Sequence, residues 1–139
     1  MKLFLEITEK DIGLEGSKNF AKKYKHRRAS RAIVYNSENK IALIDVTFNS
    51  LHKLPGGGVE KGESLKQALE REVFEEAGSK IQILEKLGKI IEYRNRWNIL
   101  QTSYCYIAKA LGKPIQPVFT KKEINDGFQL HWVTLDQAI

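Results

Sequence analysis

The chain has little cysteine, since Cys105 is the only one among 139 residues. A single cysteine cannot form a disulfide within the chain, so the core must be held together by packing alone. A lone cysteine is also typical of a reducing compartment, and we therefore expect a cytoplasmic location. The 42% apolar content is sufficient to build such a core. At this length we expect one domain that spans residues 1–139.

Long apolar runs are also lacking. No stretch approaches the ~18 apolar residues that suggest a membrane-spanning helix. The opening MKLFLEITEK contains acidic residues and has no apolar core of the kind found in secretory leaders. We therefore expect neither a leader nor a membrane partner.

Positive charge is abundant, with 23 basic and 17 acidic residues and a net charge of +6. A basic surface attracts anions such as nucleotides, RNA or acidic lipids, although such charge often serves only solubility. Its distribution is more informative, because basic residues crowd between Lys22 and Arg31 and acidic residues between Glu70 and Glu76. The sequence thus predicts an acidic spot within a positive background.

The pattern of apolar residues predicts several strands and one strong helix. Ser64 and Gln67 form a capping box that begins the helix, and Gly78 ends it. Thr134 and Gln137 can begin a second, very short helix. Loops are expected around Gly13 and Gly16 and over residues 53–64. Strands are expected near the N terminus and over residues 31–46 as a hairpin, 80–94 as one strand or two, 98–111 and 127–135. This arrangement indicates an α+β layered domain.

The helix carries acidic residues on the face that should be buried. Its apolar stripe on a wheel of 100° per residue consists of Leu65, Ala68, Leu69 and Val73. Glu72 and Glu76 fall within this stripe, and Glu75 lies at its edge. Three crowded carboxylates repel one another, and Arg71 cannot neutralise all of them. A hard divalent ion could, so the stripe predicts a Mg²⁺ or Mn²⁺ site. A charged surface helix with lysine partners is the alternative.

A run of three glycines precedes the helix. Gly56, Gly57 and Gly58 permit close approach of the backbone to a ligand. Their carbonyl groups can bind the same ion, and their amides can face phosphate oxygens. A glycine triplet alone would indicate only a flexible turn, but its place next to an acidic helix favours a binding loop.

The residues from 57 to 79 resemble the Nudix box, the signature of the Nudix, or MutT-type, hydrolases. The positions that match are Gly57, Glu63, Arg71, Glu72, Val73, Glu75, Glu76 and Gly78. Ser79 stands where the family usually has an aliphatic residue, and Ile81 could supply the lost core contact. Leu54-Pro55 before the glycines and the Trp132–Leu135 segment are also typical of the family. Matching residue types at fixed spacing make this resemblance specific.

The resemblance implies an α/β/α sandwich around a mixed sheet, with the box as a loop–helix–loop. It also implies Mg²⁺-dependent hydrolysis of a nucleoside diphosphate linked to another group. Glu72, Glu75 and Glu76 would then hold metal, assisted by the carbonyl of Gly56 or Gly57. Such an ion neutralises the pyrophosphate and lowers the pKa of a bound water.

Several catalytic roles follow from the resemblance, and the general base stays open. Glu72 could deprotonate the attacking water, but the family also draws its base from a later loop, where Glu123 and Asp126 are candidates. Arg71 is expected to orient Glu72. Glu63 is either structural or part of the metal shell.

Residues outside the box should determine the substrate. A cluster that could stack a base and grip phosphates consists of Tyr93, Arg94, Arg96 and Trp97. An exposed turn between strands explains the same cluster equally well. The segment therefore gives candidates for substrate binding but no substrate.

Two function classes remain open. The first is a nucleotide pyrophosphohydrolase, including a house-cleaning enzyme of broad specificity. The second is a Nudix-fold module that senses a nucleotide or binds RNA through residues 22–31, and an RNA 5′-end pyrophosphohydrolase would combine the two. Degenerate boxes typify the second class, whereas this box is complete. The sequence also leaves a homodimer open.

Overall fold

The structure, a computed structural model, describes residues 1–12 and 23–139. The predicted loop around Gly13 and Gly16, and Lys22 of the basic segment, lie outside the described residues. The strands are β1 (Leu3–Thr8), β2 (Lys25–Tyr35), β3 (Ile41–Val46), β4 (Leu51–Lys53), β5 (Gly56–Gly58), β6 (Lys80–Arg94), β7 (Ile99–Leu111) and β8 (Phe128–Val133). The α-helices are α1 (Leu65–Ala77), α2 (Lys121–Asn125) and α3 (Leu135–Ala138).

The described strands form one mixed sheet in the order β1-β6-β7-β2-β3-β4, with β5 also paired to β2 and β8 to β3. β1 runs parallel to β6 and β2 runs parallel to β7, whereas the other pairs are antiparallel. The long β6 is a single strand with two register shifts. The α+β class predicted from the sequence is confirmed.

Helix α1 covers one face of this sheet. The Ser64 side chain accepts a hydrogen bond from the Gln67 N–H, and the Gln67 side chain accepts one from the Ser64 N–H, which confirms the capping box. Gly78 ends the helix at φ 63°, where any Cβ would lie 1.8 Å from the Ile115 carbonyl oxygen. Glycine is therefore required by both the backbone angle and the packing.

The core lies between α1 and the sheet. The buried members of the main apolar cluster are Ala32, Val34, Ala42, Leu69, Val73, Ala77, Ile81, Tyr106, Ala108 and Ala110. Ile81 belongs to this cluster, as expected if it replaces the aliphatic residue of the box. Ser79 is buried, and its hydroxyl donates to the Ala77 carbonyl at 3.3 Å.

The sequence expectations were wrong at two places. The predicted loop over residues 53–64 is not only loop, because β5 lies within it and β4 ends at its first residue, Lys53. Helix α2 was missed, although Thr120 and Glu123 form a capping box that marks its start. The short terminal helix at Thr134 and Gln137 is confirmed as α3.

Helix α1, of 13 residues, is the long helix of the described residues. The other described α-helices are α2 and α3, of five and four residues. None of the described helices is long and apolar enough to cross a membrane.

Removing the α1 cap should measurably destabilise the protein. We expect Ser64→Ala to lower the free energy of unfolding by about 1 kcal/mol, because the Gln67 N–H loses its acceptor. Thr134→Ala removes the same kind of cap from a helix of only four residues and should cost less. Urea unfolding followed by circular dichroism measures both, and equal losses would contradict the prediction.

Candidate active site

The glycine segment is placed beside α1 by pairing with β2. Ala29 lies opposite Gly58, Ser30 opposite Gly57, and Arg31 opposite Gly56. A Cβ on Gly57 would lie 2.5 Å from Glu72 Oε1. The absence of a side chain at Gly57 is therefore what lets the Glu72 carboxylate rest against this strand.

Glu76 is the buried end of the acidic stripe, with an exposure of 1%. Its Oε1 accepts a hydrogen bond from the Gly56 N–H at 3.0 Å, and its Oε2 lies 2.9 Å from Lys53 Nζ. Burial raises the pKa of Glu76, whereas Lys53 and the Gly56 N–H act in the opposite direction. The predicted inward direction of this carboxylate is confirmed, and its cation is a lysine of β4.

Arg71 lies at the centre of a second set of contacts. Its Nε and Nη2 donate to the two carboxylate oxygens of Glu63 at 2.7 and 3.0 Å. Nη2 also donates to the Gly58 carbonyl at 3.1 Å, and Nη1 donates to Glu72 Oε1 at 2.9 Å. The hydrogen bond to Glu63 is the largest cause that raises the pKa of Arg71. Arg71 thus connects the Glu72 carboxylate to Glu63 and to the glycine strand.

The Glu63 carboxylate is held ionised by the same contact. Hydrogen bonds from Arg71 and from the Glu60 N–H lower the pKa of Glu63 to about 2. Its two oxygens accept these bonds, so Glu63 acts in this structure as the anchor of Arg71. Of the two expectations for Glu63, the structural role has direct contacts in its favour.

Glu75 is the most exposed carboxylate of the stripe, with 37% of its side chain accessible. Desolvation is the first cause that raises the pKa of Glu75, followed by the charge of Glu72, while Arg71 lowers it. The charges of Glu123 and Glu60 raise the pKa further. Negative charge is thus in excess around Glu75.

Helix α2 is what brings Glu123 within electrostatic range of Glu75. The Glu123 carboxylate also accepts a hydrogen bond from the Thr120 N–H at 2.8 Å as part of the capping box. Asp126, the other candidate base, lies at the end of α2 with its carboxylate 4.0 Å from Lys122 Nζ. Of the two, Glu123 is the one whose charge acts on the acidic stripe.

The acidic residues offer the oxygen ligands that a divalent ion prefers. Their side chains, however, are not placed around a common point. Within residues 1–12 and 23–139, no group of three or more His, Cys, Asp or Glu side chains is placed so that it could hold a metal ion. Lys53 and Arg71 already pair with Glu76 and Glu72. Glu75 shares Arg71, whose Nη1 lies 3.6 Å from Glu75 Oε2, while desolvation and then the charge of Glu72 raise the pKa of Glu75. The oxygen ligands available there suit a hard cation.

Lys53 is the site residue that sequence analysis missed. It lies 23 residues before Glu76, and β4 carries its ammonium to the buried carboxylate. The same ammonium lies 4.8 Å from the centre of the Phe128 ring on β8. No local pattern marks this lysine, but the burial of Glu76 predicts that some cation must reach it.

The predicted substrate-binding cluster lies at the turn between β6 and β7. The guanidinium groups of Arg94 and Arg96 lie over the Trp97 ring, 4.8 and 4.6 Å from its centre. Arg96 also donates its backbone N–H to the Glu9 carboxylate at 2.9 Å, and its Nε lies 3.3 Å from Glu9 Oε2. The Tyr93 hydroxyl donates to Glu6 at 3.2 Å. The four residues are brought together, but Tyr93 contacts the Glu6 carboxylate and Arg96 contacts the Glu9 carboxylate.

A family model described as the NUDIX domain matches residues 25–139. The match covers most of the sequence, and the chain therefore belongs to the Nudix family. A MutT Nudix hydrolase from Burkholderia pseudomallei has a similar fold, with a TM-score of 0.65 and 23% identity over 81% of this chain and 85% of that one. The Nudix fold expected from the box is thus confirmed.

Two curated relatives are similar in sequence. One is the 8-oxo-dGDP phosphatase NUDT18 of Danio rerio, 28% identical over 73% of this chain and 30% of the relative. The other is Nudix hydrolase 4 of Arabidopsis thaliana, 33% identical over 60% of this chain and 38% of the relative. The chain therefore spans about a third of the length of these relatives.

The stabilising role of Glu63 should depend on pH. Its folded pKa of about 2 lies below the ordinary 4.5, so its contribution to stability is complete above about pH 4.5 and is lost as the pH falls towards 2. We expect the difference in unfolding free energy between the wild type and Glu63→Gln to shrink across that interval. Urea unfolding at a series of pH values measures it, and a difference independent of pH would contradict the assignment.

Loss of Lys53 should leave a buried, unpaired carboxylate. We expect Lys53→Met to lower the free energy of unfolding by about 3 kcal/mol, measured by urea unfolding in EDTA. The matched control is the double variant Lys53→Met/Glu76→Met, which removes both charges and should recover most of the loss. If the double variant is no more stable than Lys53→Met, the ion pair is not the cause.

Proposed function

We propose that this protein hydrolyses the pyrophosphate link of a nucleoside diphosphate derivative in a reaction that depends on Mg²⁺. The observation that carries the proposal is the Glu72 carboxylate, which is held between Gly57 and Arg71. Glu75 beside it shares that arginine and lies among further negative charges. The family supports pyrophosphate hydrolysis, and the name of the zebrafish relative supports a nucleoside diphosphate. The metal is Mg²⁺, with Mn²⁺ as a substitute.

The metal ligands in this proposal are the predicted ones. Glu72, Glu75 and Glu76 would hold the ion, with a carbonyl oxygen of Gly56 or Gly57 as a neutral ligand. When bound, the ion neutralises the pyrophosphate and lowers the pKa of a coordinated water. Glu76 is the most buried of the three, with the Gly56 N–H donating to Oε1 and Lys53 Nζ 2.9 Å from Oε2.

The remaining charged groups either orient the Glu72 carboxylate or accept a proton. Arg71 holds Glu72 Oε1 and is itself fixed by both oxygens of Glu63, so the pair orients the Glu72 carboxylate. Glu72 or Glu123 accepts the proton of the attacking water. Glu123 is supported by its electrostatic contact with Glu75, and Glu72 by its place against Gly57.

A nucleotide-sensing or RNA-binding module is the second candidate. The exposed side chains of Lys25, His26, Arg27 and Arg28 at the start of β2 favour it. RNA binding through this strand would weaken steeply as salt is raised. An RNA 5′-end pyrophosphohydrolase would combine both functions. The cytoplasmic location and the homodimer stay predictions from the sequence.

The proposal predicts a specific loss of turnover. A panel of nucleoside diphosphate derivatives is assayed with Mg²⁺ and with EDTA, and hydrolysis is expected only with the metal. Glu72→Gln should reduce turnover at least about 100-fold, because it removes a ligand and a candidate base. Glu70→Gln is the matched control, since Glu70 is exposed on the same helix and pairs with Lys66 at 3.7 Å.

Three outcomes separate the alternatives. If no derivative is hydrolysed at any metal concentration, the proposed enzymatic function is wrong and the binding module remains. Equal turnover of Glu72→Gln and the wild type would overturn the assignment of Glu72. A comparable loss in Glu70→Gln would show that the effect is not specific to the inward face of α1.

A further inference from the structure

A row of polar side chains crosses the sheet on the face opposite α1. Arg27 on β2 is paired in register with Gln101 on β7, which is paired with Glu92 on β6. Arg27 Nη1 donates to Gln101 Oε1. Gln101 Nε2 in turn donates to Glu92 Oε1 and to the Ser103 hydroxyl, both at 3.3 Å. The row therefore connects three strands through one amide.

Gln101 is the fixed member of this row. It is 3% exposed and Ser103 is 2% exposed. The amide has one orientation because its oxygen faces the arginine, which can only donate, and its nitrogen faces the Glu92 carboxylate. A buried and fully oriented amide holds the Arg27 guanidinium in one place.

The Arg27 guanidinium lies against the glycine strand. A Cβ built on Gly58 would come within 2.9 Å of Arg27 Nη2, whereas one built on Gly57 would meet Glu72. Successive residues of a strand face opposite sides, so Arg27 and Glu72 flank β5 from its two faces. Their charges still interact across it.

The surroundings of Arg27 are strongly basic. Although much of the Arg27 side chain is exposed, its partial desolvation lowers its pKa most, and the charges of Arg31 and Arg94 lower it further. Beside it is a cavity of about 450 Å³ lined by Lys25, His26, Arg27, Arg28, Val59 and Ile99. Four basic side chains around a cavity of this size can take an anionic part of a small molecule.

We propose that Arg27, held by Gln101, binds a phosphate group of the substrate in this cavity, in addition to the pyrophosphate that is cut. The proposal rests on the proposed function. It follows from the placement of Arg27 on the face of β5 opposite the acidic residues, where a guanidinium fork suits phosphate oxygens. The substrate class is then a nucleoside derivative with a phosphate beyond the diphosphate, such as a triphosphate or a phosphorylated X group. Gln101 is a positioning residue.

Direct binding tests the site without metal or turnover. Inorganic tripolyphosphate is titrated by calorimetry into the protein in EDTA. We expect Arg27→Gln to weaken binding about tenfold or more, as for a lost charge-assisted hydrogen bond. Lys113→Gln, an equal loss of charge at an exposed residue after β7, should change affinity less than about twofold. Equal affinities of the wild type and Arg27→Gln would overturn the proposal.

Two further variants separate the position of the arginine from its charge. Gly58→Ala places a methyl group against the guanidinium of Arg27, and Gln101→Met removes its amide partner without changing charge. Both should weaken tripolyphosphate binding while Arg27 is retained. If both bind as the wild type does, the charge is not positioned by this row and the role of Gln101 is wrong.

Kinetics then test the substrate class. We expect Arg27→Gln to lower kcat/KM about tenfold more for a nucleoside triphosphate than for a nucleoside diphosphate sugar, mostly through KM. An equal loss of kcat/KM on both substrates would contradict binding of a further phosphate by Arg27. The proposal of pyrophosphate hydrolysis would be unaffected. Absence of turnover on both, with tripolyphosphate binding still dependent on Arg27, would instead overturn the proposed function alone.

Discussion

The buried carboxylate of Glu76 is the constraint on which the site depends. An ionised group without a partner in the core costs several kcal/mol, so its place in the apolar stripe of α1 requires partners from outside the helix. Gly56 supplies an N–H from β5 and Lys53 an ammonium from β4. The helix is thereby tied to both short strands at one point. That connection sets the glycine segment against α1 and brings Gly57 to Glu72.

The charges around this point are arranged unequally along the helix. Glu76 pairs with Lys53, whereas Glu72 and Glu75 share Arg71 at 2.9 and 3.6 Å. The charges of Glu72, Glu123 and Glu60 also act on Glu75. The burial of Glu76 alone therefore gives no argument for a metal ion. Cation binding is favoured instead at the exposed end of the stripe, where desolvation and like charge both oppose ionisation of Glu75.

Local signals in the sequence predict the elements well and their contacts poorly. The capping box at Ser64, the αL glycine at Gly78 and the inward direction of Glu76 depend on neighbours within one or two helical turns, and all three are confirmed. The pairing of β5 with β2 and the ion pair of Lys53 depend on residues that only the sheet brings together. Helix α2 could have been predicted, because the Thr120–Glu123 capping box is visible in the sequence.

The substrate cluster shows the same limit more sharply. Arg94 and Arg96 were candidates for gripping phosphates, with an exposed turn as the equal alternative. In the structure both lie over Trp97 and the second is paired with Glu9. Arg27 had no special place in that argument, because its relation to β5 and to Gln101 follows from strand register. A strand of three glycines has no side chains to separate its faces. It therefore allows the Glu72 carboxylate and the Arg27 guanidinium to approach the same backbone from opposite sides.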